Sequence, residues 1–558
     1  MAQEVVPTAR DRLNGATGTG TGNEPGDTSA YVRNTALMTA GTILSRATGL
    51  VRVGAVAYAL GVSAVSVAYL TANTAPNVLY ELVLGGILTS VFVPVFVSWR
   101  RDHGRDEAWQ VADRVFTIAA LLLVALTLLG IVVATQIVRF YRIRDPAAAE
   151  LATYLLRWFM PQVVFYGIGA IAGGFLNAEG RFAAPMFAPV LNNLVVIAAV
   201  GAYAWIRSDV PGSIAEITTG QRTLLGAGTT LGVVAMTVAL WPSLRSVGYR
   251  WHARLDPRHP AVRRLLRLST WILVYVAANQ IAYVIVGRFT NELDDARGAF
   301  AAYTFAFLIF SLPHAVFAVS VITALLPGMA DRWSAGDRAG LVALFSRGLR
   351  DTSVVMIPAA FGFAALSVPI ARLLLERGLT TAADAALVGD VLFAFAVGLP
   401  FFSAFQLLTR TFYAMQDSRT PALTNIASAC VQVGASLTFA FTLDLGVRGM
   451  AFGHATSYAA GTAILLVIPR ARTRDLDARR IASTLARVIP LAAITAAAAY
   501  AVADALGAGD ATTSAVAQLV QVGAAVLTGV LVFAVLASIV GLREVRDIAD
   551  TLRRRFRG

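Results

Sequence analysis

Stretches of about twenty apolar residues recur along the whole chain, and they limit what it can fold into. About twenty residues of helix cross the ~30 Å hydrocarbon core of a bilayer. A helix also satisfies its own backbone hydrogen bonds, as the bilayer requires. Fourteen spans are predicted, near 33–60, 64–98, 109–138, 151–176, 185–206, 222–241, 268–290, 298–327, 351–371, 386–411, 422–443, 447–469, 482–505 and 514–541. The run at 64–98 is long for one span and holds Pro76 and Pro94, which predicts a bend or a break. Composition agrees: 57% of the 558 residues are hydrophobic and 14% charged, against about 25% charged in soluble domains. The fold class is an all-α polytopic membrane protein.

There is no lysine, so all 46 basic residues are arginine. With alanine and glycine so abundant, this reads as the coding bias of a GC-rich genome and not as arginine-specific chemistry. The arginines mark topology, because loops facing the cytosol collect positive charge. They cluster after the second span (Arg100, Arg101, Arg105), the sixth (Arg245, Arg250, Arg254, Arg258, Arg263, Arg264, Arg267) and the eighth (Arg332, Arg338, Arg347). They cluster again after the twelfth (Arg470, Arg472, Arg474, Arg479, Arg480) and in the tail (Arg543, Arg546, Arg553 to Arg555). All fall on one side when both termini are cytosolic. Intervening loops are sparse or acidic, as at Glu292, Asp294 and Asp295; the loop holding Arg139, Arg142 and Arg144 is the poor fit. The net charge of +13 is therefore mostly a topology signal, with anionic membrane lipids as its natural partner. Nucleic acid would need a separate soluble domain, and the pattern leaves room for none.

A weak internal repeat has an offset of six spans. "MPQVVFYGIGAIAGGFLNAEGRFAAP" (160–185) parallels "LPFFSAFQLLTRTFYAMQDSRTP" (399–421), each with a proline near the start and an Arg and a Pro in the exit turn. "TAPNVLYELVLGGILTSVFVP" and "SLPHAVFAVSVITALLP" match more loosely. An even offset gives both halves the same orientation, so their axis lies along the membrane normal, a plan used by alternating-access transporters. The expected division is a disordered cytosolic tail (1–31), a first lobe (32–242), a basic cytosolic loop (243–267), a second lobe (268–470), a helix pair (481–541) and a basic tail (542–558).

Charges deep in these spans are few. Arg46 and Arg52 sit in the first span within "ILSRATGLVR". Six residues separate them, about 9 Å of rise and about 120° of rotation, so they share no strict face. A charge at the centre of a span costs about 2.5–3.5 kcal/mol on insertion scales. Glu81 could pair with one of them, or one could snorkel to an interface, but one acid cannot neutralise two arginines. Excess positive charge in a watery cavity suits an anionic substrate, and arginine's forked donors match phosphate oxygens. His314 follows Pro313 in the eighth span and His454 lies in the twelfth; a single histidine in a helix is more often a packing residue. Cys430 is the single cysteine, and the five histidines show no metal-ligand spacing. No catalytic constellation is present, so the chain reads as a non-enzyme, and no cofactor or metal is expected.

Several segments together resemble one family. "SRATGLVR", "APNVLYELVLGGILTSVFVPVF" (75–96), "LNAEGRFAAPMFAPVLNN" (176–193), "PIARLLLERG" (369–378) and "FYAMQDSRTP" (412–421) resemble, in order and spacing, the MurJ/MviN family of lipid II flippases. That family belongs to the multidrug/oligosaccharidyl-lipid/polysaccharide exporter superfamily. The resemblance implies fourteen helices, two six-helix lobes around a central cavity and a final pair packed outside. It implies that Arg46 and Arg52 attract the pyrophosphate of lipid II. Two positions depart from it: after "PNVL" many members carry a cavity arginine where this chain has Tyr80 and Glu81, and Leu308 stands where some carry another. The sodium-binding aspartates of some members are also missing. The seventh span offers Asn279 and Gln280, and the eleventh has no acid, so sodium coupling is not expected.

The leading expectation is a plasma-membrane flippase that moves lipid II to the outer leaflet by alternating access, in peptidoglycan synthesis. Arg46, Arg52, Glu81, Asn77, Tyr80, Asn279 and His314 are the candidate substrate contacts. Cell-wall synthesis proteins are possible partners. Two alternatives stay open: an exporter of another polyprenyl-linked polysaccharide or of a drug, and a transport-dead scaffold for cell-wall enzymes. The scaffold would tolerate loss of both arginines.

Overall fold

In a computed structural model of the chain, residues 25–84, 93–207, 214, 217–293, 298–473, 477–507, 514–542 and 544–545 are described. They are helical and contain no strand. The first lobe holds α1 (Pro25–Leu60), α2 (Ala64–Leu84), α3 (Val93–His103), α4 (Arg105–Val132), α5 (Ala134–Phe140), α6 (Pro146–Phe159), α7 (Gln162–Ala178), α8 (Ala183–Ile206), α9 (Thr219–Val238) and α10 (Trp241–Ser246). The second holds α11 (Pro260–Thr290), α12 (Ala299–Pro313), α13 (Val319–Ser334), α14 (Arg338–Leu375), α15 (Ala382–Ala414), α16 (Arg419–Leu437) and α17 (Gly446–Thr473). The last pair, α18 (Ala478–Ala505) and α19 (Ala515–Val540), packs on the outside of α14.

Among the described residues, thirteen helical segments are long and apolar enough to cross a membrane. They match the predicted spans except the second. That span is helical over α2 and α3, and residues 85–92 between them lie outside the described residues. Two spans change their helix beside a proline. Pro161 has no N–H to donate, and the fourth span breaks between α6 and α7 at Met160 and Pro161. After Pro313 the eighth span widens into one π-helical turn, His314–Ala318, before α13 resumes. Val133 interrupts the third span between α4 and α5.

Caps explain several boundaries. Asp145 accepts from the N–H groups of Ala147 and Ala148 at the start of α6. Thr218 with Gln221 and Thr381 with Asp384 form capping boxes on α9 and α15. His259 Nδ1 accepts from Ala261 N–H at 3.2 Å, with Pro260 at the first helical position. This cap starts α11 at Pro260, inside the loop expected over 243–267, and α10 takes up its other flank. The helical part of the chain likewise begins at Pro25, inside the tail expected over 1–31.

The internal repeat has a structural counterpart. Both lobes leave the repeated span through the same C-terminal turn, with Arg181 N–H bonded to Leu176 O at 2.8 Å and Asp417 N–H to Phe412 O at 2.9 Å. The left-handed residue is Gly180 (φ 73°) in the first lobe and Gln416 (φ 59°) in the second. In the second, Asp417 also accepts from Thr420 N–H and Oγ1 at 2.9 and 2.7 Å, so it fixes the turn, as its place in the sequence suggests.

The buried cores show how the lobes meet. One continuous core joins the ends of α1 and α2, α6, α12, α14 and α15, and so runs through both lobes. This is the arginine-poor end of the bundle. Toward the arginine-rich end the core divides. One part holds Phe96, Phe116, Phe175 and Tyr249 of the first lobe, with Leu265 of α11. The other holds Met329, Phe345, Phe405 and Phe412 of the second lobe. The lobes converge at one end and diverge towards the other. Exposed leucines and valines on α4 and α19 face outward, as lipid-facing surfaces do.

Candidate functional site between the lobes

α1 packs along α8, tied by Asn193 Nδ2, which donates to Ser45 O at 3.2 Å and Thr48 Oγ1 at 3.1 Å. Its far end meets the second lobe. Arg46 lies on the half of α1 that precedes this meeting point and is exposed. It comes within electrostatic reach of His314, on the opposite lobe. Arg52 is half-buried and comes within the same reach of the Tyr69 and Tyr166 hydroxyls of α2 and α7. The rotation between the two arginines thus gives each its own set of neighbours, one across the interior and one within the first lobe.

Of the other predicted residues, Asn77, Tyr80 and Glu81 are half-buried on α2. The Tyr80 ring lies 5.0 Å from that of Tyr166, which links it to the hydroxyl group near Arg52. No ion pair joins Glu81 to Arg46 or Arg52 among the described residues, so the pairing that would have cancelled one charge is not formed. His314 is buried; its Nδ1 lies 2.9 Å from Ser403 Oγ and its ring centroid 4.2 Å from that of Phe402. Asn279 lies beside the Tyr275 hydroxyl, together with Thr409 and Arg410. Leu308 is 38% exposed on α12. His454 is a packing residue: Nδ1 meets Gln432 and Tyr303 at 2.8 and 3.2 Å, and Nε2 meets Tyr458 at 3.0 Å.

Contacts that close the arginine-poor end were not legible in the sequence. Leu379 N–H donates to Tyr58 O at 3.0 Å and Thr380 Oγ1 donates to Ala57 O at 2.8 Å, so the loop after α14 is bonded to the end of α1. A Cβ on Gly298 would come within 2.7 Å of the Val62 backbone, so glycine allows that approach. Nearby, Glu292 pairs with Arg142 at 3.3 Å and Arg288 at 3.5 Å, its carbonyl accepts from Arg144, and Asn291 Nδ2 donates to Tyr141 O at 3.2 Å. Two of the three arginines that fit the charge rule poorly therefore serve to join the lobes.

A second missed device lies at the arginine-rich end. Asp113, 3% exposed on α4, accepts from Tyr249 OH at 2.8 Å and from His252 N–H at 3.2 Å. Thr117, one turn on, accepts from Arg254 N–H at 3.1 Å and Trp251 Nε1–H at 3.3 Å. The connection between the lobes is thus pinned to the first lobe. An acid inside the predicted 109–138 span was the available signal.

Comparison with known proteins agrees with this architecture. The family model described as "Lipid II flippase MurJ" matches residues 56–518. A probable lipid II flippase MurJ of Rhizobium meliloti (strain 1021) is 29% identical over 483 residues, covering 85% of this chain and 87% of that protein. The lipid II flippase MurJ of Burkholderia cenocepacia is 30% identical over 387 residues, covering 68% and 72%. Among solved structures, one described as lipid II flippase MurJ in an inward closed conformation aligns with TM-score 0.72 at 22% identity, covering 92% of this chain and 99% of that one. An inward-facing multidrug resistance MATE family transporter of the MOP superfamily aligns with TM-score 0.66 at 16% identity, covering 77% and 95%. The chain belongs to the MurJ lipid II flippase family.

Proposed function

We propose that this protein translocates lipid II across the plasma membrane by alternating access between its two lobes. The observation that carries the proposal is the placement of Arg46 and Arg52. Both lie on α1, between lobes that are joined at the arginine-poor end, and Glu81 neutralises neither. The positive-inside rule assigns the arginine-rich end and both termini to the cytosol. Closure at the other end then leaves the interior approached from the cytosolic side, where lipid II is made.

In this reading the two guanidinium groups bind the pyrophosphate through charge-assisted, forked hydrogen bonds. Tyr80, Asn77 and His314 line the path of the headgroup, with Glu81, which pairs with neither arginine, beside them. Asn279 lies further along it. The polyprenyl tail stays in lipid beside α18 and α19. The basic loops engage anionic lipids and cell-wall synthesis proteins. Opening follows when the Glu292 contacts with Arg142 and Arg144 and the Thr380 and Leu379 contacts release while the lobes close at the cytosolic end. No step makes or breaks a covalent bond.

A second reading is favoured by Tyr80 and Leu308, neutral where the family resemblance implies arginine in many or some members: a different polyprenyl-pyrophosphate saccharide as substrate. Complementation separates the readings. The chain, expressed in a bacterium depleted of its own flippase, should restore growth and the appearance of lipid II in the outer leaflet. Growth without lipid II translocation would overturn the proposal.

A further inference from the structure

Arg139 and Arg157 stand at the arginine-poor end, where the charge rule disfavours them. Unlike Arg142 and Arg144, they take no part in joining the lobes. They line a pocket of about 400 Å³ between α5 and α6, with Thr135, Thr153, Tyr154 and Glu150. Both are exposed, and neither forms an ion pair among the described residues. Glu150, the acid in the pocket, is held by Arg222 at 3.0 Å, and so is already neutralised. Tyr154 OH is held by Thr223 Oγ1 at 2.8 Å, which fixes that wall.

Depth matters as well. The span Pro146–Ala178 has 33 residues, about 50 Å of helix, against ~30 Å of hydrocarbon. With the excess shared evenly, about 10 Å projects at each end. That places Arg157, eleven residues below Pro146, just inside the hydrocarbon boundary. Its side chain then reaches up into the headgroup layer, as snorkelling arginines do. Arg139, next to the end of α5, reaches the pocket from above.

We propose that this pocket binds a phosphate-bearing anionic group in the outer membrane leaflet, the headgroup of an anionic phospholipid. Two forked cations line the pocket from neighbouring helices, and the acid among its lining residues is already paired. The site is separate from the interior arginines and is reached from the lipid. Its leaflet rests on the topology given above; its binding does not depend on transport.

The test is native mass spectrometry of the full chain released from nanodiscs, with phosphatidylglycerol or phosphatidylcholine as the lipid. The wild-type protein should retain phosphatidylglycerol preferentially. The Arg139→Gln/Arg157→Gln double variant should lose about tenfold in that retention. Arg479→Gln, an exposed arginine at the opposite end, should not. The single variants keep the test open if the double variant does not fold. A parallel arm in phosphatidylcholine nanodiscs adds inorganic phosphate: binding there, abolished by the same substitutions, would identify a free phosphate site and overturn the lipid assignment. Equal retention by wild type and variants, or equal retention of phosphatidylcholine, would overturn the site itself.

Discussion

Substituting Gly378 by alanine should loosen the closed end of the molecule. Gly378 has φ +62°, and a Cβ there would collide with the Tyr58 carbonyl oxygen. That same oxygen accepts from Leu379 N–H, and Thr380 bonds the neighbouring Ala57 carbonyl. The left-handed backbone costs alanine about 1–2 kcal/mol. Taken as common to both states, this cost cancels between the closed and open forms. The collision does not cancel, because it exists only while the loop lies against α1. Relieving it breaks two inter-lobe hydrogen bonds, each worth about 0.5–1.5 kcal/mol. The closed state should therefore lose about 1–3 kcal/mol, a shift of roughly five- to 150-fold. The assay uses a Cys430→Ser background with Val62→Cys, a position 8% exposed at this end. Labelling by a membrane-impermeant maleimide should accelerate by that factor. Gly336→Ala is the control: its φ is +74°, nothing lies within 4 Å of its Cβ, and it sits at the other end. It should lower stability without changing the labelling rate. Equal labelling rates in Gly378→Ala and its parent would refute the claim that this loop holds the lobes together.

Two further predictions concern the ends of the bundle. Asp113→Asn leaves the shape intact but removes the charge that anchors Tyr249 and His252. It should cost about 1–3 kcal/mol and raise hydrogen exchange at residues 249–254, read by mass spectrometry. Glu544 accepts from Arg350 and from Thr484 at 3.2 Å, tying the end of α19 to α14 and α18. Burial raises the Glu544 pKa, but its own backbone N–H and Arg350 outweigh this and hold it below the usual glutamate value. A depressed carboxylate stabilises above its unfolded pKa, about 4.3, and that stability is lost as pH falls through the lower folded value. Thermal unfolding of the wild type should therefore lose stability over that acidic window relative to Glu544→Gln, which lacks the dependence. Parallel curves for the two would rule the contribution out.

How much the sequence revealed depends on the range of the interaction. Span positions follow from hydropathy and could be read locally; the breaks at Pro161 and beyond Pro313 could not, because Pro76, Pro189 and Pro400 sit inside continuous helices. The repeat was faint in residues yet clear in the paired turns at Gly180 and Gln416, because a backbone turn accepts different side chains. What escaped was contact between distant segments. Thr380 and Ala57 are 323 positions apart, and nothing in either segment names the other. Glu292 looked like one acid of a sparse loop, and its contacts with Arg142 and Arg144 exist only once both lobes are built. In the site, Arg46 and Arg52 were visible because charge inside an apolar run is costly. Their neighbours were not, since Tyr69, Tyr166 and Ser403 are unremarkable in a helix until the helices pack.

The central claim is that the two α1 arginines bind the anionic headgroup. It is tested most directly by following lipid II arrival in the outer leaflet of flippase-depleted cells that express this chain, matched for protein level, with Arg46→Ala or Arg52→Ala. Losing a charged hydrogen bond of about 1.5–3 kcal/mol should slow translocation by roughly ten- to 150-fold in each. Translocation at the wild-type rate in both variants would contradict the account.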